Sequence, residues 1–173
     1  AQAEYIGTEF IFYDHSIDAL DKSPSVVYEA GSSGTVDNCH GSWGLDLYDG
    51  SVQVINGIDV NGLTLGAPIA VDAGTIDSVT LLANATVTNS TIGYMSLGAV
   101  TPTVTNNILT GTTPLGITDP DADLSGFSGN TYINGSPRAY VQGTLDGART
   151  FGVIEGQIGL YQLSGDLTVG SGA

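Results

Sequence analysis

Thr86-Val-Thr-Asn-Ser-Thr-Ile92 and Thr103-Val-Thr-Asn-Asn-Ile-Leu109 are near copies set 17 residues apart, and the fold turns on what that likeness means. Alternating Thr-Val-Thr puts valine on one face of a strand and threonine on the other, so each stretch predicts a half-buried strand ending in an Asn-rich turn. Stacked as successive coils, the two would begin a short right-handed parallel β-helix. Set side by side with ordinary connections, they fit an antiparallel sandwich equally well. A solenoid needs three or more stacked units to bury its core, and only two copies match well. The expected fold is therefore all-β, an antiparallel β-sandwich or jelly roll with hairpins, and the short right-handed parallel β-helix is the alternative.

Outward from this pair the chain keeps the same character. Twelve short segments rich in β-branched and aromatic residues, the first Glu4–Tyr13 and the last Gln157–Val169, are punctuated by Gly, Asn and Asp. Asp49-Gly50, Asn56-Gly57, Asn61-Gly62 and Asp146-Gly147 supply positive-φ positions between apolar flanks and predict tight hairpin turns. Only Asp14 to Lys22 offers a short helical pattern, which Pro24 stops. The interval from Thr110 to Gly135 has no strand signal, but Leu115, Ile117, Leu124, Phe127 and Tyr132 predict one long ordered loop. Residues 1–13 are read as an amino-terminal strand segment and 14–173 as a single sandwich domain.

Eighteen acidic residues against three basic ones give a net charge of -15. Lys22, Arg138 and Arg149 cannot assemble a cationic patch, so nucleic acid and anionic membranes are excluded as phosphate partners. Hydrophobic residues at 41% and charged ones at 12% exclude disorder as the source of the acidity. Most carboxylates have no internal cation to pair with, and must be solvated, crowd one another or hold metal. No apolar run approaches the roughly 20 residues that span a bilayer, so membrane insertion is not expected. The start at Ala1-Gln-Ala reads as a processed terminus, hence a secreted protein. Cys39 is alone and closes no disulfide within the chain.

Asp119-Pro-Asp121-Ala-Asp123-Leu-Ser125 sets three carboxylates and a hydroxyl at alternate positions, a spacing that lets a turning loop face one hard cation, with Ca2+ the best fit. It is not an EF-hand, since Leu124 and Asn130 stand where that motif needs its glycine and its bidentate acid. A solvated turn begun by Asp-Pro is the other reading. Glu4 and Glu9 on the first strand, with Asp14, Asp18 and Asp21 after it, form a second acidic set, of which Glu9, Asp14 and Asp18 are further metal-ligand candidates, and Asp46 and Asp49 flanking Tyr48 form a third. An enzyme is not expected. Two histidines, one thiol and no Gly-x-Ser-x-Gly elbow leave little nucleophilic chemistry, and Cys39 and His40 point to opposite faces of a strand. Asn84, Asn89 and Asn134 begin glycosylation sequons.

The segment Tyr5-Ile6-Gly-Thr-Glu-Phe10-Ile11-Phe12-Tyr13 offers apolar side chains to both of its faces. Such a strand can lie in its own sheet or complete that of a neighbour. Together with Phe12-Tyr-Asp-His-Ser-Ile-Asp-Ala-Leu-Asp-Lys-Ser-Pro-Ser-Val-Val-Tyr28 and the Gly/Thr/Asp-rich body through Asp-Pro-Asp-Ala-Asp, the chain resembles the secreted cannula-forming proteins of hyperthermophilic archaea. That resemblance implies extracellular tubes of small β-sandwich subunits, joined by donor-strand exchange and calcium. It implies residues 4–13 as the donor strand and Asp119, Asp121 and Asp123 as calcium ligands. The expected function is a structural subunit of an extracellular filament or tube, with identical subunits as partners. The alternative is a carbohydrate-binding or adhesive module on a cell or virion surface, contacting its ligand through Trp43, Tyr48 and the 110–135 loop.

Overall fold

In the computed structural model the two Thr-Val-Thr stretches lie side by side and run the same way, Thr86 beside Thr103, Val87 beside Val104 and Thr88 beside Thr105. The structure describes residues 4–6, 9–13, 16–17, 25–146 and 151–171. These form β1 (Glu4–Ile6), β2 (Glu9–Tyr13), β3 (Ser16–Ile17), β4 (Ser25–Tyr28), β5 (Ser33–Leu47) and β6 (Val52–Leu65). There follow β7 (Ala70–Asp72), β8 (Thr75–Leu81), β9 (Thr86–Thr88), β10 (Thr91–Leu97), β11 (Thr103–Thr105) and β12 (Ile108–Leu109). The last are β13 (Leu115–Ile117), β14 (Phe127–Ser128), β15 (Thr131–Tyr132), β16 (Arg138–Leu145) and β17 (Leu160–Val169).

The fold is a β-solenoid of about seven turns, and the antiparallel jelly roll is overturned. Strands β5, β6, β8, β10, β13, β16 and β17 pair in parallel in one sheet, and β7, β9, β11 and β14 in a second. Among the described strands only β1 and β2 pair antiparallel. The three turn dipeptides that lie wholly within the described residues do not make hairpins; Gly147 of Asp146-Gly147 lies outside them. Asp49-Gly50 joins β5 to its parallel neighbour β6, and Asn56-Gly57 and Asn61-Gly62 lie within β6. The helical reading of Asp14 to Lys22 meets β3 at Ser16–Ile17; its other residues lie outside the described ones.

The repeat extends beyond two copies because what recurs is backbone shape and inward side chains rather than threonine. Val71-Asp-Ala-Gly-Thr-Ile76 precedes the pair and Phe127-Ser-Gly-Asn-Thr-Tyr132 follows it, in register. In all four units a left-handed residue turns the corner: Ala73 (φ 57°), Asn89 (φ 51°), Asn106 (φ 58°) and Gly129 (φ 68°). The interval 110–135 is accordingly a coil, carrying β13, β14 and β15.

The core is a set of columns, each adding one apolar side chain per coil. Tyr28, Leu47, Leu65, Leu81, Leu97, Ile117 and Val141 stack in one, all buried. Leu45, Leu63, Val79, Met95, Leu115 and Ala139 fill a second, and Val71, Val87, Val104 and Phe127 line the opposite sheet. Burying each Leu, Ile, Val or Met side chain contributes about 1.5–3 kcal/mol, and the columns are the principal stabilising term. No helix among the described residues is long and apolar enough to cross a membrane.

Candidate functional site

The residue after each left-handed corner is buried, a glycine at Gly74 and an inward polar side chain at Ser90, Asn107 and Asn130, which strings a hydrogen-bonded column along the solenoid. Ser90 Oγ accepts the Gly74 amide at 2.9 Å, and the Ser90 amide donates to Asn107 Oδ1 at 2.9 Å. The Asn107 amide donates to Asn130 Oδ1 at 2.9 Å, and Asn107 Nδ2 donates to the Val87 carbonyl at 3.0 Å. Asn130 Nδ2 donates to the Val104 carbonyl at 2.8 Å. Ser90, Asn107 and Asn130 are the buried polar residues among those described, and all three are satisfied here. Glu155 closes the column, its carboxylate accepting from the Asn130 amide, Asn130 Nδ2 and the Tyr132 hydroxyl. Nothing in one copy of the corner marks this column; its signal is the shared inward place of Gly74, Ser90, Asn107 and Asn130.

The acidic loop 119–125 spans the corner between β13 and β14. Asp119 Oδ1 accepts the Asp121 amide and Asp123 Oδ1 accepts the Ser125 amide, both at 2.9 Å, so each carboxylate shapes its own turn. No group of three or more His, Cys, Asp or Glu among the described residues is placed to hold a metal ion. Asp119, Asp121, Asp123 and Ser125 thus lie on one loop without forming such a cage. Glu9 sits on β2, and Asp14 and Asp18 fall outside the described residues. Beside the loop, Asp123, Leu124, Phe127, Phe151, Glu155 and Tyr161 border a cleft of about 280 Å³. Phe151 and Tyr161 meet there with ring centroids 5.2 Å apart.

Of the residues proposed for a sugar-contacting surface, Trp43 is in the core, and its Nε1 has no hydrogen-bond partner among the described residues. Tyr48 is exposed, with its ring against Gly66, where a Cβ would collide with it. Cys39 is buried and donates from Sγ to the Asp37 carbonyl, while the neighbouring His40 is exposed. The sequon asparagines are engaged: Asn84 accepts the Thr101 amide, Asn89 donates to Asp72, and Asn134 donates to the Thr110 carbonyl.

Of the expected donor strand, β1 (Glu4–Ile6) and β2 (Glu9–Tyr13) pair antiparallel, with β2 laid along β5 of its own chain, Glu9 beside Ser33 through Tyr13 beside Asp37, and residues 7–8 lie outside the described ones. The open place in the solenoid is at the other end. Leu163 stands on Val141 in the first core column and Tyr161 on Ala139 in the second. Val141 is 2% exposed, but Leu163 is 61% exposed, and Leu160 and Val169 on the same strand are exposed as well. β4 is an edge too, pairing only with β5 among the described strands.

Fold and site together define an acidic β-solenoid with an internal asparagine column and an uncovered terminal coil. Comparison of the chain with protein-family models, with curated proteins and with solved structures gives no match.

Proposed function

We propose that this protein is a structural subunit of an extracellular filament, in which solenoids join end to end and β17 of one copy adds to the first coil of the next. The exposed core column at β17 is the observation that carries this reading. Val26 and Tyr28 on β4 begin the two columns that Tyr161 and Leu163 end, so the edge of β4 carries the register that β17 leaves off, although Tyr28 itself is buried. A head-to-tail joint between two different surfaces propagates as an open fibre wherever the rotation it imposes does not close a ring. Main-chain hydrogen bonds would supply affinity and the columns would set the register.

Charge opposes such a joint, since each copy brings a net -15. In this reading calcium acts between copies, bridging carboxylates of adjoining surfaces, at the concentrations found outside cells. The strand addition expected of residues 4–13 is assigned instead to the edges that the described strands leave open. Electron microscopy and light scattering of the purified chain test the proposal. Filaments are expected, increased by calcium and reduced by chelator, with sodium at matched ionic strength having much less effect. A monomer at every protein and calcium concentration would overturn it.

A further inference from the structure

The side of the solenoid is smooth through three coils and then is not. Between Val60 and Gly62, Ile76 and Ser78, and Ile92 and Tyr94, the chain passes through a single residue, Asn61, Asp77 or Gly93. At the same place the next two coils make excursions, residues 110–114 between β12 and β13 and residues 133–137 between β15 and β16. Insertions from a solenoid gather on one face, and that face is commonly where a ligand is held.

The two excursions are tied together and to the sheet. Asn134 Nδ2 donates to the Thr110 carbonyl at 2.5 Å, and the Arg138 amide donates to the Thr112 carbonyl at 3.4 Å. With the outer face of the sheet they enclose a groove of about 450 Å³, lined by Thr112, Thr113, Asn134, Arg138, Tyr140 and Gln162. Arg138 and Tyr140 are two apart on β16 and share its outward face, and Gln162 stands beside Tyr140 in register. Gly116 is Tyr140's neighbour on the other side, and the Tyr94 hydroxyl lies over it. Burial pushes the Tyr94 hydroxyl pKa up, and Tyr140 is near enough to add to the effect.

Arg138 is the one lysine or arginine among the described residues of this very acidic chain. No carboxylate of the described residues pairs with it, and it lines the groove. A planar fork of donors matches a carboxylate two bonds at a time. Hydroxyls and carboxamides around it can both donate and accept, as sugar hydroxyls require, and the tyrosine gives a ring face for the sugar's C–H side.

We propose that this groove binds a single carboxylate-bearing sugar unit, of the uronic acid type, within an otherwise neutral glycan. Arg138 holds the carboxylate, Tyr140 packs against the ring, and Thr112, Thr113, Asn134 and Gln162 bond its hydroxyls. One carboxylate meets one cation; a polyanionic chain or an acidic peptide would bring further charges against the protein's own excess and is repelled.

Calorimetric titration with four probes tests this: a neutral oligosaccharide ending in one glucuronate, its glucose-terminated counterpart, polygalacturonate and hexaglutamate. The glucuronate-ended probe is expected to saturate one site and to bind at least about tenfold more tightly than its neutral counterpart. Arg138→Gln should abolish that preference, Arg138→Lys should recover only part of it, and Tyr140→Leu should weaken both oligosaccharides. Arg138 is exposed, and an unchanged melting curve for its variants is the check on folding. Equal binding of the acidic and neutral oligosaccharides, indifference to Arg138→Gln, or preference for hexaglutamate or polygalacturonate would overturn the assignment. The readout is independent of whether the chain forms filaments.

Discussion

Glu155 grips Asn130 with both carboxylate oxygens, Oε1 taking the backbone amide at 3.0 Å and Oε2 taking Nδ2 at 2.9 Å. The same Oε2 accepts the Tyr132 hydroxyl at 2.8 Å, so one side chain satisfies three donors at the end of the corner column. Replacing Glu155 by Leu would strand these donors in a half-buried place, and each buried polar group left unpaired costs about 1–3 kcal/mol. Asn130→Ala would be worse, since it also frees the Asn107 amide and the Val104 carbonyl. Urea unfolding followed by circular dichroism should rank the loss as Asn130→Ala above Glu155→Leu, with both above a surface control.

Alkaline pH should loosen the molecule through its buried tyrosines. Burial, and then the hydrogen bond and negative charge of Glu155, hold the Tyr132 hydroxyl far above the ordinary tyrosine range. Burial raises Tyr28 in the same direction, helped by Cys39. Both folded values lie above the unfolded one, so the stabilisation is complete below about pH 10 and is lost as pH rises beyond it. The slope is at most about 1.4 kcal/mol per pH unit for each tyrosine. Urea midpoints measured between pH 8 and pH 11.5 should be flat at first and then fall, and Tyr132→Phe should fall less steeply.

The all-β class and the strand character of 86–92 and 103–109 were legible because alternation needs nothing beyond the local residues. The parallel stacking was not. Val71-Asp-Ala-Gly and Phe127-Ser-Gly-Asn repeat the inward residue and the left-handed corner of Val87-Thr-Asn-Ser without repeating its letters. Extra residues within 110–114 and 118–126 lengthen one coil, so that Val104 and Phe127 are partners 23 residues apart in the chain while Val87 and Val104 are 17 apart. Asn-Gly and Asp-Gly misled for a related reason: a left-handed residue suits a solenoid corner as well as a hairpin, and Gly57 takes φ 80° inside a parallel strand. The acidic spacing of Asp119, Asp121 and Asp123 was visible, but side chains that serve their own turn amides look the same in sequence as ligands. Trp43 read as a surface aromatic because a lone tryptophan between Ser42 and Gly44 carries no periodicity to bury it.

Close approach of successive coils makes Gly93 irreplaceable. A Cβ there would run into the Asp77 carbonyl oxygen, which is backbone and has nowhere to move, and Gly111 is pressed in turn against the Gly93 carbonyl. Gly93→Ala should destabilise by about 2 kcal/mol or more, in the range of overpacked cores. Gly98→Ala is the matched control, since its nearest neighbour, the Leu81 carbonyl oxygen, would be at an ordinary 3.6 Å. Thermal melts of the two variants should separate by several degrees, and equal melts would mean that the coils can spread at Gly93 without cost.

The end-to-end joint can be separated from simple charge effects. Leu163→Lys places a cation in the uncovered column and lowers the net negative charge by one, so repulsion between copies is slightly reduced rather than increased. Leu82→Lys makes the same charge change at a side chain 52% exposed on a middle coil. If apolar knobs at β17 set the joint, the first variant stays dispersed, because a lysine ammonium would have to be desolvated against the first coil of the next copy. The second should form filaments as readily as the parent chain, or slightly more so. Sedimentation at matched concentration and calcium reads the difference directly. Filaments from both variants alike would remove β17 from the joint, and loss in both would assign assembly to surface charge instead of the open column.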